Sequence, residues 1–67
     1  MFKITLVKNG NDVRAILDRL DGRQVESVVT AVSATLVLAG YIYDSEVRIW
    51  QKGEESVRID FERVGEG

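Results

Sequence analysis

Trp50, with Arg48 two residues before it and Arg58 on the next predicted strand, has the residue types of a binding hot spot. On a small domain the same three side chains also make plain cation–π packing. The remaining candidates for chemistry are carboxylates. Asp18, Asp21, Asp44 and Glu46 would have to supply any acid–base or hard-cation site, with Glu54 and Glu55 in a loop. A catalytic pair needs burial or a close partner that drives two pKa values apart, and each of these carboxylates fits a solvated or capping role better. Ser27, Thr30, Ser33 and Thr35 fall in one predicted helix, where small hydroxyls bond the preceding turn. The chain contains neither His nor Cys. Imidazole and thiolate catalysis, their metal sites and disulfides are therefore excluded. The expectation is no catalytic residue, no metal ligand and no cofactor.

The elements that would position these residues are organised around Gln24 to Tyr43. Val25, Val28, Val29, Val32, Leu36, Ala39 and Tyr43 recur at helical spacing on one side. The opposite side, Ala31, Ala34, Thr35, Leu38 and Ile42, is small or apolar too, which is unusual for a surface helix. One sheet can cover only one side, so a second subunit is expected over the other. Asp21 with Gln24 three residues on reads as a capping box, and the helix is expected to end between Gly40 and Tyr43.

Before the helix, Phe2, Ile4 and Leu6 alternate with Lys3, Thr5 and Val7 as in a half-buried strand, and Asn9-Gly10 is a hairpin signal. With those two residues as the loop, Leu6 faces Val13, Ile4 faces Ala15 and Phe2 faces Leu17. A helix over residues 12–21 also fits the spacing of Val13, Ile16, Leu17 and Leu20, but the turn chemistry favours the hairpin. After the helix, Asp44-Ser45 reads as a turn and Glu46 to Gln51 as a strand. Lys52-Gly53-Glu54 is a three-residue loop and Glu55 to Val64 the last strand. That register sets Ile49 against Val57 and Val47 against Ile59, and turns Trp50 away from the helix, on the same face as Lys3 and Arg14. The tail Gly65-Glu66-Gly67 is expected to be loose. The fold expected is one α+β domain of ββαββ order, with a mostly antiparallel sheet and the helix on one face.

Length and charge bound the rest. At 67 residues the chain is near the lower limit for a self-sufficient core, worth only about 3–5 kcal/mol. Net charge is -2 with no block of either sign, so nucleic acid, through Arg48, Trp50 and Arg58, is a minority reading. The uncharged run Val28 to Tyr43 falls short of the roughly 20 residues a bilayer needs, so no membrane span is expected. Nothing at MFKITLVKNG marks a signal peptide, and absent cysteine fits a reducing, cytoplasmic setting.

The segment Val28-Val29-Thr30-Ala31-Val32-Ser33-Ala34 resembles the Prp family, small cysteine proteases that trim the N-terminal extension of a ribosomal large-subunit protein. Those proteins carry a hairpin, a Gly-His-Ala loop and a helix opening like D-[IL]-V-C-A-A-V-S-A. MFKITLVKNG is similar to their first strand and turn, and VRIDFE to the closing hairpin of short phage-encoded members. Laying Ala31-Val32-Ser33-Ala34 on the family's A-V-S-A sets Val29 at the nucleophile's place, and no Gly-His-Ala occurs between Leu17 and Gln24. The resemblance thus implies a non-proteolytic, phage-derived relative. Composition and resemblance lead to one expectation: a non-enzymatic interaction module, homodimeric, with a protein as its other possible partner.

Overall fold

The structure, a computed structural model, describes residues 1–65. Its elements are β1 (Phe2–Lys8), β2 (Asp12–Leu20), α1 (Gly22–Leu38), β3 (Ile42–Asp44), β4 (Ile49–Lys52) and β5 (Glu55–Arg63). The five strands form one antiparallel sheet in the order β2-β1-β5-β4-β3. The class is the expected α+β, with ββαβββ in place of ββαββ.

The first hairpin wins over the helical alternative for residues 12–21. Asn9 and Gly10 take φ of 54° and 88°, as a primed turn requires. The loop nevertheless spans three residues, because Lys8 stands opposite Asp12. Asn9 is the cause: its N–H donates to the Ser56 carbonyl at 2.8 Å, and its Oδ1 accepts from the Ser56 N–H at 3.1 Å. Those bonds hold Asn9 against β5 and push the turn onward. Leu6 therefore meets Ala15, Ile4 meets Leu17 and Phe2 meets Leu20, with two irregularities that correct the expected pairs. Each adds a residue to β2, and Arg19 absorbs one at φ 57°, its N–H held by Asp18 Oδ1.

The helix begins as expected, with the Gln24 N–H donating to Asp21 Oδ1 at 2.8 Å and the Asp21 N–H to Gln24 Oε1 at 2.9 Å. It ends earlier than expected. Gly40 at φ 97° donates to the Val37 carbonyl and Tyr41 to the Leu36 carbonyl, the paired bonds of a Schellman stop. Residues 42–44 then extend and pair with β4 as a strand the periodicity did not separate from the helix. Val25, Val28, Val29, Val32 and Leu36 do face the sheet, joined by Ser33, whereas Ala39 is exposed and Tyr43 belongs to β3. Ile42 likewise leaves the helix's back.

The closing strands correct a second register. Asp44 Oδ1 accepts the Glu46 N–H at 3.0 Å, and residues 45–48 form a turn that Arg48 leaves at φ 58°. Val47 therefore lies in a turn, and the strand expected from Glu46 starts only at Ile49. Gly53 at φ 60° opens a two-residue loop, since Lys52 pairs with Glu55. That one-residue difference puts Trp50, not Ile49, opposite Val57. Trp50 therefore flips to the helix side of the sheet, because a strand's period is two.

Burial is meagre. Among the described residues Ile4, Val7 and Leu36 are the buried apolar ones, and Ile4 alone is fully enclosed, at 0 % exposure. The helix packs chiefly on β1 and β2. An apolar gap of about 370 Å³ remains under Val32 and Leu36, bordered by Leu6 and Val57.

Candidate functional site: an apolar cleft between helix and outer strands

Tyr43 lies opposite Trp50 and Trp50 opposite Val57, so all three share the face that continues along β5 as Ile59 and Phe61. The Tyr43 and Trp50 rings tilt together with centroids 5.0 Å apart. The helix passes this floor at Val29 and Ser33, and the turn after β3 closes the far side with Val47. Between them opens a cavity of about 760 Å³. Its floor is unusually wet for its chemistry, with Phe61 60 % exposed.

Arg48, Trp50 and Arg58 all border this one cavity, but only Trp50 has moved to the helix side of the sheet. Arg58 alternates with Val57 and Ile59 on β5 and keeps the outward face, and Arg48 ends the turn before β4. Arg58 is not a free cation, because its Nε donates to Asp60 Oδ1 at 2.8 Å, which raises the guanidinium pKa further. Arg14 is tied to Asp12 at 2.7 Å, and Lys3 stands opposite Glu62 in the β1–β5 register. The basic patch expected to accompany Trp50 is thus dispersed and partly neutralised. Val29, at the position laid on the Prp nucleophile, is half-buried and lines the cleft.

The expected interface residues divide. Ala31, Ala34, Thr35 and Leu38 lie exposed along the helix, Leu38 at 89 %. Ile42, 75 % exposed, sits on the edge strand β3 instead. The Thr35 hydroxyl donates to the Ala31 carbonyl at 2.9 Å, which satisfies it within the helix.

The carboxylates are scattered. Asp21 caps the helix, Asp18 holds the Arg19 N–H, and Asp44 holds its own turn through the Glu46 N–H. Asp44 and Glu46 share a depression of about 540 Å³, so two of the four candidates are brought together. The Asp44 carboxylate is engaged by the turn, whereas Glu46 enters that bond through its N–H and not through its carboxylate. Among the described residues no trio of acidic, His or Cys side chains is placed to hold a metal ion.

One cluster had no signal in the sequence. The Tyr41 hydroxyl donates to Glu55 Oε1 at 2.8 Å, Lys8 Nζ stands 3.6 Å from the same oxygen, and Lys52 Nζ lies 5.8 Å from the centre of the Tyr41 ring. The bond to Glu55 raises the Tyr41 pKa; that bond, followed by the Lys8 charge, lowers the Glu55 pKa. This network ties the chain after the helix to the start of β5, and so launches β3 across to the far edge. Its members come from four separate stretches, and no local pattern announces such a meeting.

These features define a small α+β domain of one helix on five antiparallel strands. No family model, curated protein or solved structure matches the chain. Among the described residues no helix is long and apolar enough to cross a membrane.

Proposed function

We propose that this protein is a non-enzymatic interaction module, acting through protein–protein contacts and associating as a homodimer across the outward side of α1. The observation that carries this is the imbalance between core and surface. Among the described residues three apolar ones are buried, whereas Leu38, Ile42, Phe61 and Val47 are among ten large ones left exposed. Scattered exposed leucines need no explanation, but here the exposed set outweighs the core of a chain already close to the size limit. Burial against a second copy supplies what the single chain lacks.

Ala31, Ala34 and Thr35 form the small-residue stripe that lets a second helix approach, with Leu38 at its end. The Trp50 cleft remains as a separate surface for another protein. The Prp resemblance supports the same reading, because a chain with no thiol and no imidazole keeps at most the binding surfaces of a protease. The kinship it implies is that of a phage-derived, inactive relative.

Sedimentation equilibrium tests the dimer. The expected result is a dimer at tens of micromolar for the natural chain, with association weakened at least about tenfold by Leu38→Glu, which buries a charge at the contact. A monomer at every concentration for the natural chain removes the dimer from the proposal.

A further inference from the structure

We propose that the outer edge of β5, from Ile59 to Arg63, accepts an added antiparallel strand: an extended segment of a partner protein that alternates apolar and basic residues. The inference deepens the reading of the protein as a binding module by naming the kind of partner the Trp50 cleft takes.

The argument is an account of backbone groups. Along the β1–β5 ladder the Val64 N–H donates to the Met1 carbonyl and the Asn9 N–H to the Ser56 carbonyl. Antiparallel hydrogen-bonded pairs recur at every second residue, and the β1–β5 register is regular throughout. Arg58, Asp60 and Glu62 therefore spend their N–H and C=O groups on β1. Ile59, Phe61 and Arg63 direct theirs the other way. On that side β4 pairs only with Glu55, Ser56 and Val57, so among the described residues no strand reaches the rest. Three donors and three acceptors stand in a row, beside a cavity that Ile59 and Phe61 line and Val29 overhangs.

The other edges are blunted in ways this one is not. β2 is kinked twice and charged at Asp12, Arg14, Asp18 and Arg19, and β3 is three residues long. Charge selects the occupant. Setting Phe61 opposite the Phe61 of a second copy places Asp60 against that copy's Glu62. Sliding two residues either way sets Asp60 against Asp60 or Glu62 against Glu62. Like charges directly opposite destabilise a sheet, so self-pairing is disfavoured. A foreign strand with apolar residues over Ile59 and Phe61, and Lys or Arg opposite Asp60 and Glu62, sets base against acid instead. Asp60 already shares its charge with Arg58, so Glu62 supplies the larger part of the preference.

The test uses the full chain and a fluorescent Thr-Lys-Val-Lys-Val peptide, capped at both ends. Binding is read by anisotropy and by amide hydrogen exchange. The expected result is saturable binding that slows exchange at Ile59, Phe61 and Arg63. The same peptide N-methylated at its first, third and fifth residues, which would face β5, should bind at least about tenfold more weakly, since each lost bond is worth a factor of a few. Replacing both lysines by Glu should also weaken it. In the protein, Phe61→Pro removes an N–H that β1 does not use and should abolish binding, whereas Phe61→Ala keeps that N–H and should retain part of it. Equal binding of the N-methylated peptide, or none by about 1 mM, overturns the proposal. So does slow, concentration-dependent exchange at those three amides in the free protein, which would assign the edge to a second copy. Sedimentation of the same samples separates the two claims: a monomer that takes the peptide sinks only the helix-face dimer, and a dimer that ignores it sinks only the strand site.

Discussion

The half of the sheet formed by β2 and β1 lies under the helix, and the half formed by β5, β4 and β3 does not. Both halves carry apolar residues on the helix side, Ile4 and Leu17 in one and Ile59, Phe61 and Trp50 in the other. Yet Ile4 is 0 % exposed and Phe61 60 %. Geometry accounts for the difference: strands about 4.8 Å apart make a five-stranded sheet roughly 19 Å wide. A helix with side chains is only about 10–12 Å across. One helix therefore shields about half of such a sheet, and the sequence supplies only one. The same kind of side chain becomes core on one side of β1 and exposed apolar surface on the other.

The largest expected effect probes that contrast directly. Ile4→Ala deletes a fully enclosed side chain and should cost about 2–5 kcal/mol, enough to unfold much of the population. Phe61→Ala, in the open half, should shift the urea midpoint by less than about 0.5 kcal/mol of stability. Comparable costs for the two, measured at low protein concentration, would mean that the open half is covered after all and would break the comparison.

Next comes the junction between the halves. Gly40 sits at φ 97°, and an added Cβ would meet only the Lys52 side chain, at 3.5 Å, so space is not the constraint. Gly40→Ala should cost about 1–2 kcal/mol through backbone strain alone. If it proves neutral by thermal melting, the Schellman stop is not what turns the chain from helix to β3. Asp21→Ala should cost about 1 kcal/mol by unmaking the capping box at the other end of the helix. Far-UV circular dichroism with urea would show that loss, and the cleft side of the sheet should be unaffected.

What was legible in the sequence tracks how local each feature is. The capping box lies within four consecutive residues and was readable in full. Asn9-Gly10 was readable as a turn but not in its length, because the lengthening comes from Ser56, far along the chain. Trp50 was recognisable as a binding candidate from its type, yet its face was not. A two-residue and a three-residue loop at Gly53 have nearly the same sequence signature, and the choice between them inverts every side chain on β4. β3 was hidden for a different reason. Tyr43 continues the helical spacing of Leu36 and Ala39, and three residues are too few for alternation to show. The open edge of β5 was beyond reach of periodicity, since it exists only because β4 stops short.

The smallest effect concerns the tie that spans both halves. Glu55 has its pKa lowered by the Tyr41 hydroxyl and then by Lys8, and Tyr41 has its pKa raised by Glu55. A carboxylate depressed in the folded state adds stability that is present above its unfolded pKa, near 4.5, and is lost as pH falls through the folded value. A phenol raised in the folded state adds stability that is present below its unfolded pKa, near 10.0, and is lost as pH rises through the folded value. The contribution of this pair should therefore be flat between those limits and decline on both sides. Tyr41→Phe should remove the alkaline decline and move the Glu55 titration, followed by NMR, upward toward the ordinary carboxylate range, with Lys8 and, less strongly, Lys52 still holding it down. Glu55 is solvent-exposed and Tyr41 only half-buried, so the change in overall stability should be small. The informative readout is local: amide exchange along β3 should quicken in Tyr41→Phe, while exchange along β1 stays as it was. Equal quickening in both strands would mean that the open half is not an independent unit hung from the packed one, and that the sheet opens as a whole.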